Sequence, residues 1–303
     1  MVGDARLGFD AANAERPLVV GYNAKQHSRE ALLWGAAEAV RQGVPLVVMF
    51  AANYPGMAVD PLEPGALEAD EEVTTRGVVE ALKAHPHLQV DGVTLVTSPT
   101  RALTEASAQA GLLVIGTRGY GPVVGALLGS VAFGVATRAA CPVVVVKGEP
   151  QSRPIGPRHR VVVGTDGSSH SAAAVAFAAE RAAVHSATLE VVTCTGEHPL
   201  PDVDPQALWT AAEEIAQSSV DHVRDTYPAL AVRTRVEDSP AERTLVAASA
   251  DAGMVVVGTR GRGAFKGMLL GSVSHAVIHG ARCPVAVVGD VAGDGDGDGK
   301  DQR

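Results

Sequence analysis

Four small residues recur along this chain in one fixed spacing. Gly116, Gly119, Gly129 and Ser130 return as Gly258, Gly261, Gly271 and Ser272, each displaced by 142 positions. Each set follows an apolar run, Leu112 to Ile115 and Met254 to Val257, and each precedes a helical pattern. A strand, a glycine loop and a helix start, in that order, make a site for phosphate. Backbone amides close on an anion only where no Cβ intrudes, and the helix N-terminus adds partial positive charge. With glycine at about a tenth of residues, one such match arises by chance at roughly one start in ten thousand. A second match in register marks a duplication.

Other candidates are weaker. No G-x4-G-K-[ST] motif is present, so the Walker arrangement for phosphoryl transfer is missing. His275 and His279 stand four apart on one helical pattern, but no H-E-x-x-H completes a metal pair, and a solvent-facing or capping role fits them better. Arg118 and Arg260 each follow the loop threonine and could reach phosphate or a facing loop. No nucleophile–base pair is visible, so dedicated catalysis is not supported. Cys141 and Cys283 are repeat equivalents, each opening a Cys-Pro-Val strand, and with Cys194 they form no disulfide framework. The Gly293-Asp294-Gly295-Asp296 tail echoes a calcium loop without its closing glutamate and reads as disordered.

The elements that must position the loops follow from periodicity. Leu18 to Tyr22, Val44 to Phe50, Val93 to Val96, Leu112 to Ile115 and Pro142 to Val146 read as strands separated by helical patterns. The second half repeats the order with Val161 to Thr165, Leu189 to Thr193, Val232 to Val236, Met254 to Val257 and Pro284 to Val288. Nearly all-apolar strands alternating with helices imply an α/β fold with a parallel sheet covered on both faces. Composition divides the chain into an arm at 1–15, a domain at 16–147, a linker at 148–158, a domain at 159–289 and a tail at 290–303.

The composition sets bounds on function. The 303 residues suit two domains, and 46% hydrophobic content with 4% aromatics suits Val, Leu, Ile and Ala cores. A net charge of −9 argues against a nucleic-acid surface. No apolar stretch approaches the roughly 18 residues of a membrane span, and Met1 to Pro17 lacks a signal-peptide core, so a cytoplasmic location is expected.

Each half resembles a universal stress protein domain. The resemblance rests on the G-x2-G-x9-G-[ST] loops, the Val-Val-Gly-Thr-Asp166-Gly-Ser opening, Gly271-Ser-Val-Ser-His and the two Cys-Pro-Val strands, and covers about 17–147 and 159–289. It implies two tandem, doubly wound five-strand parallel sheets that bind ATP, with or without Mg2+. Gly258, Gly261, Gly271, Ser272 and Val273 would wrap the phosphates, as would Gly116, Gly119, Gly129, Ser130 and Val131. Asp166 would accept the ribose hydroxyls. Its counterpart is Asn23, with Ala24-Lys25 in place of Gly167-Ser168; the neutral amide is a weaker acceptor and equally suits a turn. Phe50 and Cys194 fall near the adenine side. The resemblance also implies that Val143 to Val146 and Val285 to Val288 pair between the halves as a pseudo-dimer, with a homodimer as a further level.

The expected function is ATP-dependent regulation in a stress response, the second half being the more complete. The alternatives are a nucleotide-independent interaction scaffold on the same fold, or a weak ATP hydrolase or adenylyl-transfer enzyme.

Overall fold

The computed structural model describes residues 16–53, 66–117, 129–147, 154–196, 204–262 and 270–289. The expected arm at 1–15, the tail at 290–303, and Arg118 and Gly119 lie outside the described residues. So does the first part of the linker, 148–153.

The first half runs β1 (Leu18–Gly21), α1 (Gln26–Gln42), β2 (Leu46–Ala52), α2 (Ala66–Ala84), β3 (Val90–Val96), α3 (Pro99–Ser107), β4 (Leu112–Gly116), α4 (Ser130–Ala136) and β5 (Val143–Val146). The second runs β6 (Val161–Gly164), α5 (Ser169–Val184), β7 (Leu189–Cys194), α6 (Pro205–Thr226), β8 (Val232–Glu237), α7 (Ala241–Ala248), β9 (Met254–Gly258), α8 (Ser272–Gly280) and β10 (Val285–Val288). Local chemistry sets several boundaries. Gly43, at φ 72°, ends α1 in the left-handed conformation that a β-carbon disfavours. Ser98 caps α3 by accepting from the Arg101 amide, with Pro99 in the first turn where its missing N–H is no loss.

The ten strands among the described residues form one sheet in the order β3-β2-β1-β4-β5-β10-β9-β6-β7-β8. Neighbours are parallel within each half; β5 and β10 meet antiparallel. The expected edge-to-edge pairing of the valine strands is thus present. Its register places Val144 opposite Ala286, and these are repeat equivalents. A pseudo-two-fold axis passes between them.

The pleat divides the core into two layers. Leu18 and Val20 of β1 belong to one layer, which takes in residues of α1, α2, α5 and α6, while Val19 belongs to the other, with residues of α3, α4, α7 and α8. Each fully buried valine contributes roughly 1.5–3 kcal/mol. Small residues let the helices sit close: a Cβ on Gly35 of α1 would stand 2.6 Å from the Val20 side chain. After the linker's first part, Ile155 is buried against Gly253, so the chain is anchored on the second half before β6 begins.

Candidate functional site

In each half the strand order reverses between the first and fourth strands, and the crevice that this leaves opens at their C-terminal ends, where open α/β sheets receive ligands. Two equivalent cavities lie there. The first, of about 520 Å3, is lined by Asn23, Gly116, Gly129, Ser130 and Val131 together with the ends of β1 and β2. The second, of about 350 Å3, is lined by Asp166, Gly258, Gly261, Gly271, Ser272 and Val273. Every expected binding residue among the described ones therefore lines one of the two cavities.

The glycines do different work. A Cβ on Gly116 would sit 2.5 Å from the His27 carbonyl oxygen, and one on Gly258 would sit 2.9 Å from that of His170. Those two glycines let β4 and β9 pass the first turns of α1 and α5, a requirement of the fold itself. Gly261 has no room because the Asp166 Oδ2 would lie 2.4 Å from its Cβ. Gly271 is the exception: among the described residues its nearest neighbour would be the Thr259 oxygen at 3.5 Å, an ordinary contact. Gly271 is also the N-cap of α8 and offers that helix no side-chain cap, as Gly129 offers α4 none. Uncapped first-turn amides at the cavity wall are donors for an anion.

Asp166 sits in a web of donors. Its Oδ1 accepts from the Ser168 amide at 3.0 Å and the Ser168 hydroxyl at 2.6 Å, and its Oδ2 accepts from the Arg262 amide at 2.7 Å. Burial alone would raise its pKa, but the Ser168 hydroxyl and the Arg262 and Ser168 amides together hold it below the usual 3.8. The carboxylate is ionised and ties the glycine loop to the end of β6.

Asn23 keeps half of this arrangement. Its Oδ1 accepts from the Lys25 amide at 3.1 Å and the Ser28 hydroxyl at 2.7 Å, the turn-forming role. Its second terminal atom is an amide nitrogen and cannot accept. A carboxylate reaches the first cavity from elsewhere: Asp70 of α2 is buried on its wall. No sequence signal marked Asp70, because an acidic residue near a helix start reads as solvated.

The strand register fixes which residues of β2 and β7 correspond. Leu46 pairs with Leu18 as Leu189 pairs with Val161, so Cys194 corresponds to Ala51, and Phe50 corresponds to Thr193. Phe50 and Cys194 both line cavities, but they are not equivalents. His275 meets Phe133 edge-on, with ring centroids 6.0 Å apart, and among the described residues no group of three or more His, Cys, Asp or Glu is placed to hold a metal. Likewise no helix among them is long and apolar enough to cross a membrane.

Comparison with known proteins agrees with this architecture. Residues 15–147 and 157–289 each match the model of the universal stress protein family. The universal stress protein Rv2005c of Mycobacterium tuberculosis is 38% identical over 291 residues, covering 89% of this chain and 96% of that protein. A universal stress protein of Archaeoglobus fulgidus superposes with a TM-score of 0.66 at 21% identity, covering 90% of this chain and 96% of its own. A shorter solved universal stress protein from Archaeoglobus fulgidus, in complex with dAMP, is 27% identical, covers 44% of this chain and 98% of its own, and has a TM-score of 0.35.

Proposed function

The chain belongs to the universal stress protein family as two tandem copies of its domain, and on that premise we propose that it is an ATP-binding regulatory protein. The observation that carries the reading is the convergence on one cavity of an ionised Asp166, the open Gly271 and the uncapped start of α8. The phosphates would lie against the Val273 amide and Ser272 hydroxyl, and the ribose against Asp166. The residues fit an anion and a diol, because amide and hydroxyl donors and a carboxylate line the same cavity. Mg2+, if bound, would come with the phosphates.

Regulation follows from what Asp166 already holds. A ribose hydroxyl that donates to Oδ2 must share or take the oxygen that now accepts from Arg262. Occupancy is thereby coupled to the placement of the glycine loop, and a ligand shifts a conformation only by such differential contact. The first cavity works with Asn23 and Asp70 and binds more weakly.

The test separates ligand from fold. Gly271→Ala should leave the unfolding temperature within about 2 °C of the parent, because its Cβ has room. It should nevertheless weaken ATP binding at the second cavity at least tenfold by calorimetry, because the methyl faces the phosphates. Unchanged affinity would remove the phosphate cradle from this loop.

A further inference from the structure

The two halves do not meet through identical side chains. Where the pseudo-two-fold axis passes between α1 and α5, Glu38 of the first half lies against Arg181 of the second, Oε1 to Nη1 2.6 Å apart. The other carboxylate oxygen, Oε2, is 2.8 Å from His185 Nε2. Glu38 and Arg181 are repeat equivalents, both displaced by 143 like Asn23 and Asp166, and Gln42 and His185 are a second such pair. Gln42 also donates to Glu38 Oε1, at 2.7 Å. On the opposite face of the sheet, the edge-on Phe133 and His275 are a third pair of equivalents.

The charges are deeply buried. Glu38 and Arg181 are each 2% exposed and His185 is 8% exposed. Arg181 also bonds the half-exposed Glu180, and its guanidinium stands 5.4 Å from the centre of the Phe177 ring. Its Nε and the His185 Nδ1 are buried without a hydrogen-bond partner. An apolar pair on the axis would bury as much surface without orphaned atoms, so stability alone does not account for charge here.

Symmetry supplies the reason. A residue on a two-fold axis faces its own equivalent. If two first halves paired through this face, Glu38 would meet Glu38; two second halves would bring Arg181 to Arg181, with the His185 imidazole of each beside the Arg181 of the other. Either arrangement buries like charges with no counter-charge from the other side. Only the pairing of one first half with one second half brings carboxylate to guanidinium. We propose that Glu38, Arg181 and His185 form a heterologous lock that makes each half a partner for the other and not for a second copy of itself. The surface around α1 and β5 thus fits a basic, imidazole-bearing helix, and the chain itself supplies one. Specificity of this kind comes from the penalty on the wrong pair as much as from the gain in the right one.

A charge exchange in the full chain tests the lock. Glu38→Arg and Arg181→Glu should each lower the midpoint of thermal unfolding by about 5 °C or more. The double exchange should recover at least half of the larger loss, whereas losses that simply add would overturn the lock. A second, milder variant guards against chains that fail to fold. The neutral pair Glu38→Gln with Arg181→Met removes the discrimination, so refolding at high concentration should yield two-chain species that survive dilution, seen by native mass spectrometry. The parent refolded alongside should give markedly fewer such species. The same distribution for both proteins would contradict the proposal.

Discussion

At the scale of single residues, equivalent positions in the two halves show where one chemistry has been kept and where it has been dropped. Ala24 and Gly167 occupy the same turn, at φ 58° and 76°. A Cβ is unfavourable in this left-handed region, so Ala24→Gly should stabilise the chain by about 0.5–1 kcal/mol in denaturant unfolding. The three thiols also differ. Burial pushes Cys141 and Cys283 up to about 12; it raises Cys194 as well, but Cys194 lines the second cavity and is only half-buried. Native protein treated with iodoacetamide near pH 8 should be alkylated at Cys194 alone, and saturating ATP should slow that reaction severalfold. Modification of Cys141 at a comparable rate would contradict the packing described. Asp166→Asn should weaken ATP binding at the second cavity about tenfold to a hundredfold, since it turns one acceptor into a donor facing the Arg262 amide.

At the scale of elements, the valine runs announced nearly every strand, because strands buried on both faces have no polar positions to confuse the pattern. The strands that carry polar residues were harder to delimit: β3 begins at Val90, ahead of the Val93 start that periodicity suggested, and several of its residues are exposed. The glycine loops and Asp166 were legible because backbone approach and a strand-end carboxylate leave marks in residue type. Asp70 and Glu38 were not, since an acid on a helix looks the same whether it faces water or a partner a hundred residues away. For Glu38 the consequence can be measured. Burial works to raise its pKa, but the His185 hydrogen bond and charge, Arg181 and Gln42 outweigh it and hold the carboxyl below its ordinary 4.5. A lowered folded pKa means that the α1–α5 contact contributes in full above about pH 4.5 and loses that contribution as pH falls through the folded value. In Glu38→Gln the acid-side fall in unfolding temperature should therefore be shallower than in the parent. Identical slopes would show that Glu38 does not stabilise the contact.

At the scale of the whole molecule, the ten-strand sheet makes one body of two crevices, opening at the far ends of strands that run in opposite senses across β5 and β10. Duplication within one chain lets the copies diverge: one cavity keeps the carboxylate at the strand end, while the other has an amide there and a carboxylate on α2. Two sites of unequal strength are thus expected. Equilibrium dialysis of the purified chain against ATP, with bound nucleotide counted after denaturation, measures both at once. Binding should approach two ATP per chain at saturation, with the tighter one weakened at least tenfold in Gly271→Ala. No bound nucleotide at millimolar ATP would contradict that expectation.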